Sequence, residues 1–311
     1  MPAVSGQHDE RPVGVFDSGV GGLTVLHELL VRLPHEDFLY LGDTARFPYG
    51  QRTPDELCAF AVQIADLLLD RGAKLLVVAC NSASSAALSV LREHVGERAP
   101  GIEVVSVVGP EARLAVQTTR NGSIGLLATP ATVASGAYEE AVRGTGEWAR
   151  LVSVACPDLA PIIQSGFPFD DHVVGVVRSY CRPLIAAGVD TVILGCTHYP
   201  LVAPMLQRTL GPDVTLVSAG DAVARVVERA LAARGLASQR GGEGDYRFLC
   251  TGDVEAFRSL GTRFLQMPLG EVDRVAVAAA AGTAGAAGAA GTAGAAGAAG
   301  AAGAAGAGVR P

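Results

Sequence analysis

The sequence predicts an α/β protein: two doubly wound, mostly parallel-sheet domains related by a pseudo-twofold, with the active site in the cleft between them. Three observations carry this. Short aliphatic runs alternate with stretches of helical apolar spacing, and strands joined by helices form parallel sheets. Aliphatic residues dominate while aromatics make up only 5% of the chain, as in sheets covered on both faces. The third is a duplication. Leu75-Leu76-Val77-Val78-Ala79-Cys80-Asn81-Ser82 is echoed by Val192-Ile193-Leu194-Gly195-Cys196-Thr197-His198, and Gly72 and Leu68 match Gly188 and Leu184 at the same offset.

In chain order, residues 1–11 read as a loose polar leader without the apolar core of a signal peptide. Val13 to Phe16 is a buried strand breaking into the glycine-rich turn Asp17-Ser18-Gly19-Val20-Gly21-Gly22. Leu23, Leu26, Leu30 and Leu33 then mark a helix that Pro34 stops. A strand at 38–41 leads through Gly42-Asp43-Thr44 to the loop Pro48-Tyr49-Gly50. Thr53-Pro54-Asp55-Glu56 starts a helix running to Arg71, with Thr53 as cap and Pro54 in the first position. After the strand at 75–79 come a helix from about Ala83 to His94, a strand at 104–107 and a helix at 111–119. A strand at 123–127 is followed by a helix to about Val142; Ile124 to Leu127 echoes Val13 to Phe16. A strand at 151–155, a helix at 173–186, the second cysteine strand at 191–195 and a helix at 201–210 follow. A strand at 214–217, a helix at 218–234 and a late strand at 247–250 complete the pattern.

The first domain is placed at residues 12–106 plus 218–275 and the second at 107–217. From 276 to 311 the chain is an Ala/Gly repeat, with Gly at every third position from Gly282 to Gly306. No side chain there can build a core, so a disordered tail is expected. The net charge of −7 supplies no basic field for nucleic acid or anionic lipid. Outside the Ala-rich tail, no apolar run reaches the roughly 20 residues of a membrane helix. Six widely spaced cysteines without CxxC spacing favour reduced thiols in a cytoplasm over a disulfide framework.

In open parallel sheets ligands bind beyond the carboxyl ends of the strands. Asp17, Ser18, Asp43, Tyr49, Cys80, Asn81, Thr129, Cys196 and His198 all fall there, close to helix starts whose free N–H groups favour an anion such as a dicarboxylate. A helix N-terminus also lowers the pKa of a thiol, and that is expected of both Cys80 and Cys196. One cysteine suffices for acyl transfer. Two placed symmetrically fit proton exchange at one carbon, where one thiolate removes a proton and the opposite thiol delivers another, inverting configuration. Asp17 beside Cys80 and His198 beside Cys196 are placed to help move those protons. A cysteine at a strand end is more often a small buried hydrophobe, and that reading is accepted for Cys58, Cys156, Cys181 and Cys250. Asp17 and Asp43 have a competing reading as caps, and the Gly19–Gly22 turn lacks a phosphate-loop lysine.

At these residues the chain resembles the cofactor-independent glutamate racemases of the aspartate/glutamate racemase superfamily, over about residues 12–270. The resemblance rests on Asp17-Ser18-Gly19-Val20-Gly21-Gly22, Gly42-Asp43-Thr44 through Pro48-Tyr49-Gly50, Ala79-Cys80-Asn81-Ser82-Ala83-Ser84 and Gly195-Cys196-Thr197-His198-Tyr199-Pro200. It implies Cys80 and Cys196 as the acid/base pair. Asp17, Ser18, Tyr49, Gly50, Asn81, Ser82, Thr197 and His198 would contact substrate, and Thr132 would add to the α-carboxylate site. It further implies glutamate as the small-molecule substrate, no pyridoxal phosphate and no metal, and D-glutamate supply for peptidoglycan in a bacterial cytoplasm. A homodimer is compatible with this reading, though the sequence does not fix an oligomeric state. Two positions depart from the family pattern: Ser82 replaces a usual Thr, and Gln164 stands where many relatives carry Glu. The rival readings are an aspartate or hydantoin racemase, a one-thiol decarboxylase, a Cys–His acyl-transfer enzyme using Cys196 and His198, and a dicarboxylate-binding module with inert thiols.

Overall fold

The computed structural model describes residues 9–166 and 170–277. Residues 1–8 of the expected leader and 278–311 of the expected tail lie outside them.

Through the first half of the chain, β1 (Val13–Asp17), α1 (Leu23–Arg32), β2 (Phe38–Gly42), α2 (Pro54–Asp70), β3 (Leu75–Val78), α3 (Asn81–Arg98) and β4 (Glu103–Ser106) alternate as expected. The start of α2 carries the anticipated capping box: the Thr53 side chain accepts from Glu56 N–H, and Glu56 reaches back to Thr53 N–H. Next come α4 (Val108–Thr118), β5 (Ser123–Ala128), α5 (Pro130–Ala134), α6 (Ala137–Thr145), β6 (Arg150–Ala155), α7 (Leu159–Gln164), α8 (Asp171–Ala186), β7 (Thr191–Gly195), α9 (Ala203–Leu210) and β8 (Thr215–Val217). The chain closes with α10 (Gly220–Arg234), β9 (Tyr246–Cys250), α11 (Val254–Leu265) and β10 (Val272–Arg274).

All strand pairs are parallel and fall into two sheets. The first has the order β10-β9-β2-β1-β3-β4 and the second β6-β5-β7-β8. Stripped of the two added edge strands, the first sheet reads second-first-third-fourth in chain order, and so does the second. The internal echo is therefore a repeat of topology as well as of residues. Each sheet reverses its strand order next to its central strand, β1 or β5. That creates one crevice per sheet beyond the strand ends. Cys80 follows β3 and Cys196 follows β7, the strands lying beside β1 and β5 across those reversals. After β8 the chain returns to the first sheet, and α10 packs on α1 and α4.

Several elements differ from the sequence reading. The expected single helix after β5 is two, because Gly136 adopts a left-handed conformation (φ 67°) between α5 and α6. The α3 helix begins at Asn81 rather than Ala83, since its first turn is built from small polar residues that carry no apolar spacing. Residues 199–202 form a 3₁₀ turn before α9. The sequence reading did not mark α7, α11 or β10.

Candidate active site

The two crevices face a common pocket. Ser18, Tyr49, Gly50, Cys80, Asn81, Ser82, Cys196, Thr197 and His198 line it, together with Phe47, Pro48, Gln51, Thr129, Pro130, Pro157, Ala160 and Pro161. Of the expected site residues Asp17, Asp43 and Thr132 are not part of this lining. The pocket is closed: about 20 Å³ of its interior is open to a water-sized sphere, room for roughly one water.

Cys80 sits at the N-cap of α3. The N–H groups of Ala83 and Ser18 and the Ser18 hydroxyl lie near its sulfur and work to lower its pKa. The expectation that the helix terminus lowers its pKa is not met. Burial raises it, the Asp17 charge adds to the rise, and the three donors offset only part, leaving the thiol pushed up to about 12. Cys196 departs from the expectation in the same direction. Burial raises it well above the ordinary value, and the His198 N–H is the main opposing donor. Removing a sulfur from water costs its anionic form more than one helix end returns.

Asp17 is fully buried. Its carboxylate accepts from Gly19 N–H at 2.8 Å and from the Thr197 hydroxyl at 3.2 Å, so it ties the first turn to the second cysteine loop. Burial raises its pKa despite these donors. The close fit of that tie requires Gly21: a Cβ there would lie 2.5 Å from His198 Nδ1.

His198 stands 3.9 Å from Cys196 Sγ through Nδ1 and 2.8 Å from Gln164 Oε1 through Nε2. Its ring lies between Phe47, at 5.4 Å, and the edge-on ring of Phe264, at 5.1 Å. Burial pushes its pKa down to about 3, so the imidazole is neutral. With Nε2–H donated to Gln164 Oε1, Nδ1 keeps its lone pair toward the Cys196 thiol.

Tyr49 is held by donating its hydroxyl to Asp43, which also accepts from Arg46 Nε at 2.5 Å and Thr251 Oγ1 at 2.7 Å. Asp43 thus acts as a bracket for the Pro48–Gly50 loop. Ser82 has its rotamer fixed by hydrogen bonding. Its hydroxyl meets Thr129 at 2.9 Å and Thr132 at 3.4 Å. Thr129 and Thr132 open α5 beyond the second sheet, so these hydroxyls close the pocket from both sheets.

The sequence reading missed Phe264, which lies on an unmarked helix. It also missed Glu111 and Tyr138, which back Asn81. A Glu among the buried Val107, Val108, Ala112 and Ala115 was the available signal. Among the described residues, no group of three or more His, Cys, Asp or Glu is placed to hold a metal ion.

This fold and paired-thiol pocket define a racemase-type isomerase, and comparison with known proteins supports that class. Residues 25–243 match the Asp/Glu/Hydantoin racemase family. A glutamate racemase of Acidothermus cellulolyticus is 43% identical over 84% of this chain and 97% of its own length. One of Mycobacterium leprae is 45% identical over 82% and 92%. The crystal structure of glutamate racemase isoform RacE1 from Bacillus anthracis superposes with a TM-score of 0.81 at 36% identity, covering 87% of this chain and 99% of that one. That of the Francisella tularensis glutamate racemase in complex with D-glutamate gives 0.80 at 33%, covering 86% and 98%. The chain belongs to the Asp/Glu/Hydantoin racemase family and groups within it with the glutamate racemases.

Proposed function

We propose that the chain interconverts L- and D-glutamate through Cys80 and Cys196, with no cofactor or metal. The observation that carries this reading is that the two cysteines, from equivalent positions in two equivalent sheets, line one pocket. One thiolate takes the Cα proton, and the electron pair stays on Cα, conjugated with the α-carboxylate. The opposite thiol then gives its proton to the other face of Cα, so thiol and thiolate exchange places. Burial raises the pKa of both thiols, and the α-ammonium of an entering amino acid is the positive charge that brings one down.

Ser18, Tyr49, Gly50, Asn81, Ser82, Thr197 and His198 contact the substrate, with Asp17 and Thr132 supporting them from behind the lining. The Francisella relative crystallised with D-glutamate supports this choice of substrate. Residues 12–106 plus 218–275 act as one lobe and 107–217 as the other. The pocket is too tight for glutamate as it stands, so the lobes part before binding. The product is D-glutamate for peptidoglycan in a bacterial cytoplasm, made by a protein that acts alone or as a homodimer. Among the described residues no helix is long and apolar enough to cross a membrane.

The Cys196–His198 contact favours a second reading, acyl transfer by that pair alone, which needs no Cys80. The deciding experiment incubates L-glutamate with the protein in heavy water and follows optical rotation together with Cα deuteration, with L-aspartate in parallel. Loss of rotation with deuterium at Cα is expected for glutamate. Rotation preserved with no deuterium incorporated removes the racemase reading.

A further inference from the structure

Behind the pocket lies a buried polar triangle that the reaction above does not use. Asn81 Nδ2 lies 2.7 Å from the Tyr138 hydroxyl and 3.2 Å from Glu111 Oε2, and the Tyr138 hydroxyl donates to the same Glu111 oxygen at 2.5 Å. All three side chains are buried, and they come from three helices: α3, α4 and α6. Of the three, only Asn81 lines the pocket.

The hydrogen count is informative. A carboxamide has two N–H hydrogens and one acceptor oxygen. Tyr138 and Glu111 Oε2 lie close together and hold the amide nitrogen, while Asn81 Oδ1 is buried with no protein partner. Two donors converge on Glu111 Oε2 and none reaches Oε1. Oε2 is therefore the accepting oxygen whether or not the carboxyl carries a proton on Oε1. Burial of the carboxyl, which pushes its pKa up to about 8, shows that this triangle is held at an energetic cost. A buried acceptor left open beside a catalytic pocket carries a desolvation penalty unless a ligand fills it.

We propose that Glu111 and Tyr138 are positioning residues that lock the Asn81 amide with its oxygen toward the substrate, making it an acceptor for the α-ammonium group. Locked this way, Asn81 turns its nitrogen to Tyr138 and Glu111 and leaves its oxygen for the substrate. The site then distinguishes an amino dicarboxylate from a plain dicarboxylate of the same length. Neither residue touches the reacting atoms. The inference rests on the proposed glutamate site and adds how that site recognises the amine.

The test compares the binding of L-glutamate, D-glutamate and glutarate, which lacks the amine, by calorimetry on the full chain. The proteins are wild type, Tyr138→Phe, Glu111→Ala, Asn81→Ala, and the two double variants containing Asn81→Ala. Tyr138→Phe and Glu111→Ala are expected to weaken both glutamate enantiomers about 5–20-fold, the scale of one buried hydrogen bond, and to leave glutarate unchanged. In the Asn81→Ala background neither is expected to weaken glutamate further, as coupling through one residue requires. Equal losses for glutamate and glutarate would show a merely structural role and overturn the proposal. So would full effects that persist without Asn81, or unchanged glutamate binding. Because the readout is binding, a wild-type protein that binds glutamate without racemising it would defeat the proposed reaction while leaving this test able to decide.

Discussion

Cys80 and Cys196 end equivalent strands of equivalent sheets, yet the two halves treat their thiols differently. Cys80 stands at the N-cap of an 18-residue helix with three N–H or O–H groups near its sulfur, while the Asp17 charge acts on both thiols. Cys196 precedes a four-residue 3₁₀ turn, with the His198 N–H as its main donor and a neutral imidazole 3.9 Å away. A racemase must move protons on both faces of one carbon, and the chemistry is symmetric only at that carbon. The comparison suggests that a duplicated fold supplies matching positions, while the proton-handling groups around each thiol have diverged. Around Cys80 the groups opposing the burial shift are fixed N–H and O–H donors. Around Cys196 a neutral imidazole stands beside the thiol, and in the proposed reaction it would receive the thiol proton.

The largest expected effects come from the thiols themselves. Cys80→Ser and Cys196→Ser should each lower racemisation about 10²–10⁴-fold, the range of a lost acid/base group. In heavy water each variant should still exchange the Cα proton of one glutamate enantiomer without inverting it, and the two variants should act on opposite enantiomers. NMR of each enantiomer reads this directly. If both variants exchange the same enantiomer, the two-face assignment is wrong.

Gly21→Ala strikes the tie between the halves. The new methyl would sit 2.5 Å from His198 Nδ1, displacing the loop that carries Cys196. An ångström-scale shift at reacting groups costs about 10²-fold, and the exchange served by Cys196 should lose more than that served by Cys80. Equal losses would mean that the tie positions both thiols alike.

The doubly wound class, the paired cysteine strands and the capped start of α2 were legible because their signals are local: aliphatic runs, a repeat, and Thr-Pro-Asp-Glu. The support around the site was less so. Phe264 packs on His198 from a helix that reaches the pocket only after the chain has left and rejoined the first sheet. The helical start at Asn81 was hidden by small polar residues whose periodicity is flat. The direction of the thiol shifts was misjudged because burial, which no local pattern reports, outweighs a helix terminus. Glu111 left a trace, a charge on an apolar face, but its partners Asn81 and Tyr138 come from two other helices.

Gln164→Glu probes the Cys196 half alone. A carboxylate in place of the amide would favour protonated His198 and raise its pKa from about 3. As pH falls, the ring would then lose its free lone pair earlier. The direction that uses His198 as acceptor should decline with a higher apparent pKa, by up to about 10-fold in rate at mildly acidic pH. The opposite direction should keep its profile. Separate pH profiles for L- and D-glutamate check this, and matching shifts in both would mean that His198 serves the two thiols jointly.

Two buried groups, both from residues 107–217, should also oppose each other in how pH affects folding. Glu111, behind Asn81, titrates at about 8 when folded against 4.5 as a free carboxyl. Between those values the folded chain keeps a proton that the unfolded chain releases, so this group makes stability fall as pH rises. His198 runs the other way. At about 3 folded against 6.5 free, it makes stability fall as pH drops from 6.5 towards 3. Unfolding free energies from urea titrations between pH 6.5 and 8 should therefore decline less steeply in Glu111→Gln than in wild type, by a total of about 1.5–2 kcal/mol. An unchanged slope would mean that the carboxyl is hydrated or paired in solution.

The smallest effects test the repeat where no chemistry intervenes. Helices α2 and α8 end in the same way. Gly72 N–H bonds Leu69 O and Ala73 N–H bonds Leu68 O; Gly188 N–H bonds Ile185 O and Val189 N–H bonds Leu184 O. This is the paired bond pattern of a Schellman cap, and both glycines are left-handed, at φ 84° and 64°. It explains why Gly72 echoes Gly188, while Leu68 and Leu184 match as fully buried side chains. A Cβ on either glycine would meet nothing within 4 Å, so Gly72→Ala and Gly188→Ala carry only the backbone cost of that conformation, about 1 kcal/mol each. Matched losses in urea unfolding, with racemisation unchanged, would place the divergence of the halves beyond the strand ends. A clear mismatch would place it already in the scaffold.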